Sequence, residues 1–167
     1  MNRCMVSDLL KWKFPDAILN IEEFRGETSI AIDKGQLRDV MAFLKTSENL
    51  AYDLLIDLAG VDCGSDSPRF MVAYLLHSMK FNNKLRIKTR VEEGGKLDTV
   101  SDIWKAANWL EREAYDMFGI GFSNHPDLRR ILLTDDFTGY PLRKDFPLEG
   151  PDFGKPVNVC LEEEING

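Results

Sequence analysis

Within residues 109–120, WLEREAYDMFGI, the chain sets Glu111, Arg112, Glu113 and Asp116 inside six positions. The run Asn124-His125-Pro126-Asp127 and the pair Arg129-Arg130 follow closely. Carboxylates near an imidazole, whose unperturbed pKa is ~6.5, are raw material for general acid–base catalysis. The same residue types also build guanidinium–carboxylate clasps and docking surfaces. Which use applies depends on the elements that position them.

Thr99 and Asp102 form a T-x-x-D pattern that resembles a capping box, so a helix is expected to start near Thr99. At about 100° per residue, Val100, Ile103, Ala107, Leu110, Ala114, Met117 and Phe118 share one apolar face, and Gly119 and Gly121 stop the helix. On that wheel Asn108, Arg112 and Asp116 oppose Leu110 and are expected to be exposed. Arg112 and Asp116 are four apart and can pair, for a few tenths of a kcal/mol. Glu111 falls inside the apolar arc, where an ionised carboxylate needs a bonded partner or its pKa rises. Arg129, Arg130 and Arg143 are the candidate partners, and the expectation is that Glu111 pins the following segment to the helix. The alternative is a general acid of raised pKa, though no nucleophile or metal site accompanies it. Trp109 lies on the far side, beside Glu113 and Asp116. There it is either an exposed interface hot spot or is covered by the following segment. His125 either shapes a turn through a backbone carbonyl or carries protons; Asp135-Asp136 and Glu162 to Glu164 read as solvated charge.

The remainder of the chain narrows the options. A net charge of -7 over 167 residues opposes nucleic-acid binding, and 44% hydrophobic residues suit a folded domain. The N-terminus reads as no signal peptide, and no segment approaches the ~20 apolar residues of a membrane span. Membrane association would therefore be indirect. Cys4, Cys63 and Cys160 are far apart, with only His77 and His125 as histidines, so no metal or iron–sulfur spacing is visible. Reduced thiols and no cofactor or metal in this chain are expected.

A short helix over residues 6–14 ends at Pro15, and strands at 17–24 and 28–32 flank the turn Arg25-Gly26. Asp33 caps a second helix marked by Leu37, Val40, Met41 and Leu44. Three strands follow at 54–61, 69–77 and 84–91, with connections short enough for antiparallel pairing. In the last, Leu85, Ile87, Thr89 and Val91 alternate with Lys84, Arg86, Lys88 and Arg90. The basic row is either a solvated face or a docking strip for an acidic partner. The expected fold class is α+β: two layers, helices on a mixed, mostly antiparallel sheet, with an extended C-terminal arm. The domain spans residues 1–122. Five of the seven prolines lie beyond it, and residues 123–167 are expected to run along their own domain and across neighbouring subunits.

Three stretches, WLEREAYDMFGI, F-x-x-HPDLRRIL and DDFTGYPLRKDFPLEG, resemble the signature of the 30-kDa-type subunit (the C subunit) of respiratory NADH:quinone oxidoreductase, the complex I family. LIDLAGVD, RFMVAYLLHSM, RIKTRV and TVSDIWKAANW add to the likeness, which covers residues 54–150; the N-terminal third matches only in size and pattern. The resemblance implies a non-catalytic structural subunit in the peripheral arm, in the quinone module of a membrane-bound, ion-translocating complex. It implies a hetero-oligomer in which this chain packs on a hydrogenase-large-subunit-like chain and near the subunit with the last 4Fe–4S cluster. Flavin and iron–sulfur clusters would lie in partner subunits and quinone would be the acceptor. The location implied is peripheral, on the cytoplasmic face of a bacterial inner membrane or its equivalent. Carried over by position, Glu111, Arg112, Glu113, Asp116, His125, Pro126, Arg129, Arg130, Arg143, Lys144 and Asp145 serve assembly. Tyr140 departs from the pattern, standing where many members have His, and the chain is expected not to be fused to a large-subunit domain, as some relatives are. The rivals are the equivalent subunit of a ferredoxin-, F420H2- or hydrogen-linked complex, a free-standing enzyme using Glu111 and His125, and a generic binding module.

Overall fold

A computed structural model describes residues 3–147, and side-chain burial from Val6 onward. α1 (Arg3–Lys13) turns Val6 and Leu10 into the core and stops before Pro15. β1 (Ile18–Phe24) and β2 (Glu27–Ile32) form a hairpin in which Arg25 and Gly26 both take positive φ, 49° and 79°. Two such residues in a two-residue loop match the right-handed twist of the strands. The Asp33 side chain accepts from Gly35 N and caps a 3-10 turn that leads into α2 (Leu37–Thr46). Leu37, Val40, Met41 and Leu44, the expected stripe, are its buried residues.

β3 (Leu54–Asp62), β4 (Phe70–Ser78) and β5 (Asn83–Val91) make an antiparallel meander. β5 then pairs in parallel with β2, giving a five-stranded sheet of order β1-β2-β5-β4-β3. The α+β class, with a mixed and mostly antiparallel sheet, is therefore the fold found. Alternation sorts the two faces: Phe70, Val72, Tyr74 and Leu76 of β4 join the helices in one core, while Met71, Ala73, Leu75 and His77 point the other way. On β5 the four basic residues line the outer face. Three of them already hold acids there: Arg86 with Glu27, Lys88 with Glu22, and Arg90 with Asp66. An ion-paired, solvated face is what results.

β6 (Lys96–Asp98) and β7 (Gly121–Ser123) form a small parallel pair that brackets α3 (Ala107–Phe118). Both are three residues long, too short to leave a readable period. α3 starts at Ala107, eight residues later than expected from the capping pattern. The Thr99 hydroxyl is drawn away to Glu111, and residues between Val100 and Trp104 make tight turns instead. The Trp104 indole fastens those turns by donating to the carbonyls of Tyr52 and Asp53. α3 lies against β3 so closely that a Cβ at Gly60 would stand 2.7 Å from the Phe118 ring.

Candidate functional site: the junction of helix and arm

α3 ends at Gly119, left-handed at φ 75°, a conformation that glycine adopts without a steric penalty. After β7 the chain turns back along α3, with no helix or strand between residues 124 and 147. Such a segment has no ladder to satisfy its backbone, so side chains must do it.

Asp116 makes the largest single contribution. Wholly buried, it directs Oδ2 at three successive backbone N–H groups, of Ile131, Leu132 and Leu133, at 3.0, 2.8 and 2.9 Å. Its Oδ1 accepts from Arg130 Nη1 at 2.6 Å. Burial acts to raise this carboxyl, but the three N–H groups and the guanidinium outweigh it and hold the group below the usual carboxylate range. Arg130 also donates to the carbonyls of Phe137 and Gly139. Arg112, buried on the same side, donates to the carbonyls of Arg129 and Arg130. Arg112 and Asp116, expected on the exposed face, are thus interior residues, and Asn108 is half-buried. The helical wheel placed them correctly relative to Leu110, but the arm covers that face. Asp116 takes Arg130 as its partner in place of Arg112.

A second set of bonds fastens the far end of the described arm. Asp62, buried at the end of β3, accepts from Arg69 Nε and Nη2, from Gly64 N and from Lys144 N. The Arg69 guanidinium, helped against burial by those two N–H groups, holds the Asp62 carboxyl well below its ordinary range. Arg69 also binds Glu93 and Asp145. Arg143 donates to the carbonyl of Phe118 at 2.6 Å, pairs with Glu93 and stacks on Tyr140, 4.4 Å from the ring centroid. A cation thereby meets the negative end of α3.

Glu111 is fully buried, as its place in the apolar arc predicts. The expected clasp to Arg129, Arg130 or Arg143 is not what it makes: those arginines are engaged with Asp127, Asp116 and Glu93 respectively. Glu111 binds the turn before its helix, Oε1 accepting from Val100 N at 2.8 Å and Oε2 from the Thr99 hydroxyl at 2.5 Å. Burial is the main cause of a pKa raised to about 7, opposed by the bonds from Thr99 and Val100. His125 Nε2 lies 3.8 Å from Glu111 Oε2, both side chains sealed from solvent. Since Asp127 N–H donates to Nδ1, the imidazole proton is on Nε2, which faces the carbonyl of Asn108 at 3.1 Å. His125 therefore shapes the turn, as the more ordinary reading of N-H-P-D has it.

Glu113, Pro126, Arg129 and Trp109 are exposed, Trp109 by 62%, and Leu132 lies open at 63%. Arg112 packs under the Trp109 ring, 5.2 Å from its centroid, and its guanidinium also touches the stretch of arm that leads to Leu132. Asp135 and Asp136 are exposed as expected, and Glu162 to Glu164 lie outside the described residues. Cys63 is a free thiol, and no group of three or more His, Cys, Asp or Glu among the described residues is arranged to hold a metal. No described helix is long and apolar enough to cross a membrane. Sequence reasoning missed Asp62, Arg69 and Glu93, and it read Thr99 as a helix cap where the structure makes it the partner of Glu111. A signal existed for Asp62, an acid on the inward side of β3 with Leu58 and Gly60.

Fold and junction together define a small α+β domain with a coiled arm strapped back on it by buried charge. The family described as "Respiratory-chain NADH dehydrogenase, 30 Kd subunit" matches residues 30–152, and the chain belongs to that family. It is 50% identical over 152 residues to the NADH-quinone oxidoreductase C subunit of Geobacter metallireducens, covering 90% of this chain and 91% of that one. It is 51% identical over 152 residues to the corresponding protein of Geotalea uraniireducens, covering 90% of each. Among solved structures, "Nqo5 of the trypsin-resistant fragment (1-134)" aligns with a TM-score of 0.63 at 30% identity, over 74% of this chain and 98% of that fragment. An archaeal membrane-bound sulfane sulfur reductase complex contains a chain of the same fold, with a TM-score of 0.73 at 24% identity over 86% of this chain and 85% of that one.

Proposed function

We propose that this chain is a structural subunit in the peripheral arm of a membrane-bound, ion-translocating NADH:quinone oxidoreductase. There it positions the quinone-module subunits and holds no redox centre of its own. The carrying observation is the use made of the motif charges. Asp116, Arg112, Arg130, Arg143 and the Asp62–Arg69 pair are engaged in holding the arm, and the Glu111–His125 pair in fixing its root. Catalytic side chains need free valences directed at a substrate; these are directed at backbone and at one another.

Around α3, Trp109, Glu113, Arg129 and Leu132 face outward, an aromatic and an aliphatic anchor in a charged rim. That composition suits the centre of a protein–protein interface. The partners in this reading are a hydrogenase-large-subunit-like chain and a subunit bearing a 4Fe–4S cluster. Electron carriers, flavin and iron–sulfur, reside in other chains, and attachment to the cytoplasmic face of the membrane is through them. Residues 123–167 act as an arm whose described part is strapped to the domain. The test is affinity purification of the tagged chain from detergent-solubilised native membranes, with mass spectrometry and donor-specific quinone-reduction assays. Co-purification of flavin- and NADH-binding subunits with NADH-dependent activity is expected. Activity only with ferredoxin or hydrogen would assign the chain to a sister complex, and turnover by the isolated chain would overturn the structural role.

A further inference from the structure

Glu111 is a buried acid with no cation beside it. The elements packed around it present His125 from the arm, Tyr74 from β4, and Asp102 from the turn before α3; Arg38 of α2 is bound bidentately to Asp102. On its own helix, Arg112 is committed to the carbonyls of Arg129 and Arg130. His125 is engaged at both ring nitrogens, Nδ1 accepting the Asp127 N–H and Nε2 facing the carbonyl of Asn108. The Tyr74 hydroxyl is buried with no hydrogen-bond partner among the described residues. An ionised Glu111 would keep only one N–H and one hydroxyl as direct donors.

The same acid is wired to the surface. Thr99 Oγ1 touches Glu111 Oε2 at 2.5 Å and Ser101 Oγ at 2.8 Å. Thr99 and Ser101 line an open depression of about 430 Å³, together with Arg38, Asp102, Asn124 and Pro126. Two proton arrangements fit those distances. With Glu111 protonated, its O–H donates to Thr99 Oγ1, which donates to Ser101 Oγ; with Glu111 ionised, both hydroxyls reverse and donate inward. One proton passes from carboxyl to Thr99, a Thr99 proton to Ser101, and a Ser101 proton to water in the depression.

We propose that Glu111, Thr99, Ser101 and His125 form a solvent-connected proton switch that holds the root of the arm, residues 123–127, closed when Glu111 is protonated and loosens it on ionisation. The carboxylate gains hydration by parting the wall between Ser101 and Pro126, and that wall is the arm's root. The switch is made entirely of residues of this chain.

The sign of the linkage is fixed. The carboxyl, at an ordinary 4.5 when unfolded and about 7 when folded, keeps its proton in the folded chain where the unfolded chain has lost it. Folding is therefore favoured at low pH and weakens as pH rises from about 4.5 to about 7, by a factor on the order of 300. The experiment compares the full-length chain with Glu111→Gln, an isostere of the protonated acid. Denaturant titrations at pH 5 to 8 should show the wild type losing stability relative to the variant. Infrared spectra of the wild type alone should show a protonated-carboxyl band that disappears with a midpoint near pH 7 and is missing from the variant. By NMR, the amides of Val100 and Asp127 should exchange faster in wild type than in variant above pH 7. Parallel stability profiles in the two proteins, a band gone by pH 5, or equal exchange of those two amides in wild type and variant would each overturn the proposal. Should the variant fail to fold, the wild-type infrared titration and the protection of the Val100 and Asp127 amides on either side of pH 7 decide it.

Discussion

Asp116→Ala tests whether the arm is strapped down by one carboxylate. The substitution removes the acceptor for three backbone N–H groups and the partner of Arg130. Each charge-assisted bond has a net worth of ~1.5–3 kcal/mol, and breaking a buried pair costs about 3–5 kcal/mol. The individual bonds do not add to a global loss, because the segment they hold can leave: Leu132 and Thr134 are already exposed, and the freed N–H groups would meet water. The cost should fall on the docked state of the arm. α3 itself should persist, because Ala107, Ala114 and Met117 are buried and Phe118 packs on the core. At 1.36 kcal/mol per tenfold, a loss of ~3 kcal/mol is a fall of ~150-fold in protection. Hydrogen exchange followed by mass spectrometry should show that fall at residues 131–133, with the β4 and β5 amides nearly unchanged. Trypsin should correspondingly cut after Arg129 or Arg130 sooner than in wild type. Unchanged protection at residues 131–133, or an equal loss across the sheet, would refute the strap.

Other perturbations should separate the remaining contacts. Gly119→Ala places a Cβ 2.6 Å from Arg143 Nη2 and 2.7 Å from the Tyr140 ring at a left-handed φ; urea titration should record a loss of about 1–3 kcal/mol. Trp109→Ala should change the stability of the isolated chain by less than about 1 kcal/mol yet weaken association with partner subunits by ~2 kcal/mol, ~30-fold, in a binding assay. Asp62 and Asp116 have depressed folded pKa values, so their contribution is complete above their unfolded value of ~3.9 and lost as pH falls through the folded values. Acid titration followed by arm exchange should therefore release the arm only below about pH 4, the opposite sense to Glu111.

The sheet and the first two helices were legible because their signals are local. β4 and β5 alternate with period two, and α2 repeats its apolar residues at helical spacing. Contacts set by distant chain were not. Thr99 has the right neighbours for a cap, and only the fold reveals that a carboxylate twelve residues on claims its hydroxyl. Arg112 and Asp116 lie off the apolar arc in any wheel; they are buried because proline-punctuated coil returns over them. Glu111 was legible as a buried acid, since burial follows from the arc, while its partners depended on where the turn at Thr99 sits. The helix alone placed Trp109 off the apolar arc but left open whether the arm covers it; the structure leaves it exposed.

The parallel pairing of β2 with β5 bears on the order of events during synthesis. Thr28 pairs with Leu85, so the hairpin of β1 and β2 leaves the ribosome long before the strand that completes it. Until then that edge of β2 has no native strand to bind. The meander of β3, β4 and β5 pairs its sequence neighbours and is suited to forming first, as a template onto which the waiting hairpin closes. A nascent chain halted before β5 is therefore where chaperone dependence and misassembly should concentrate.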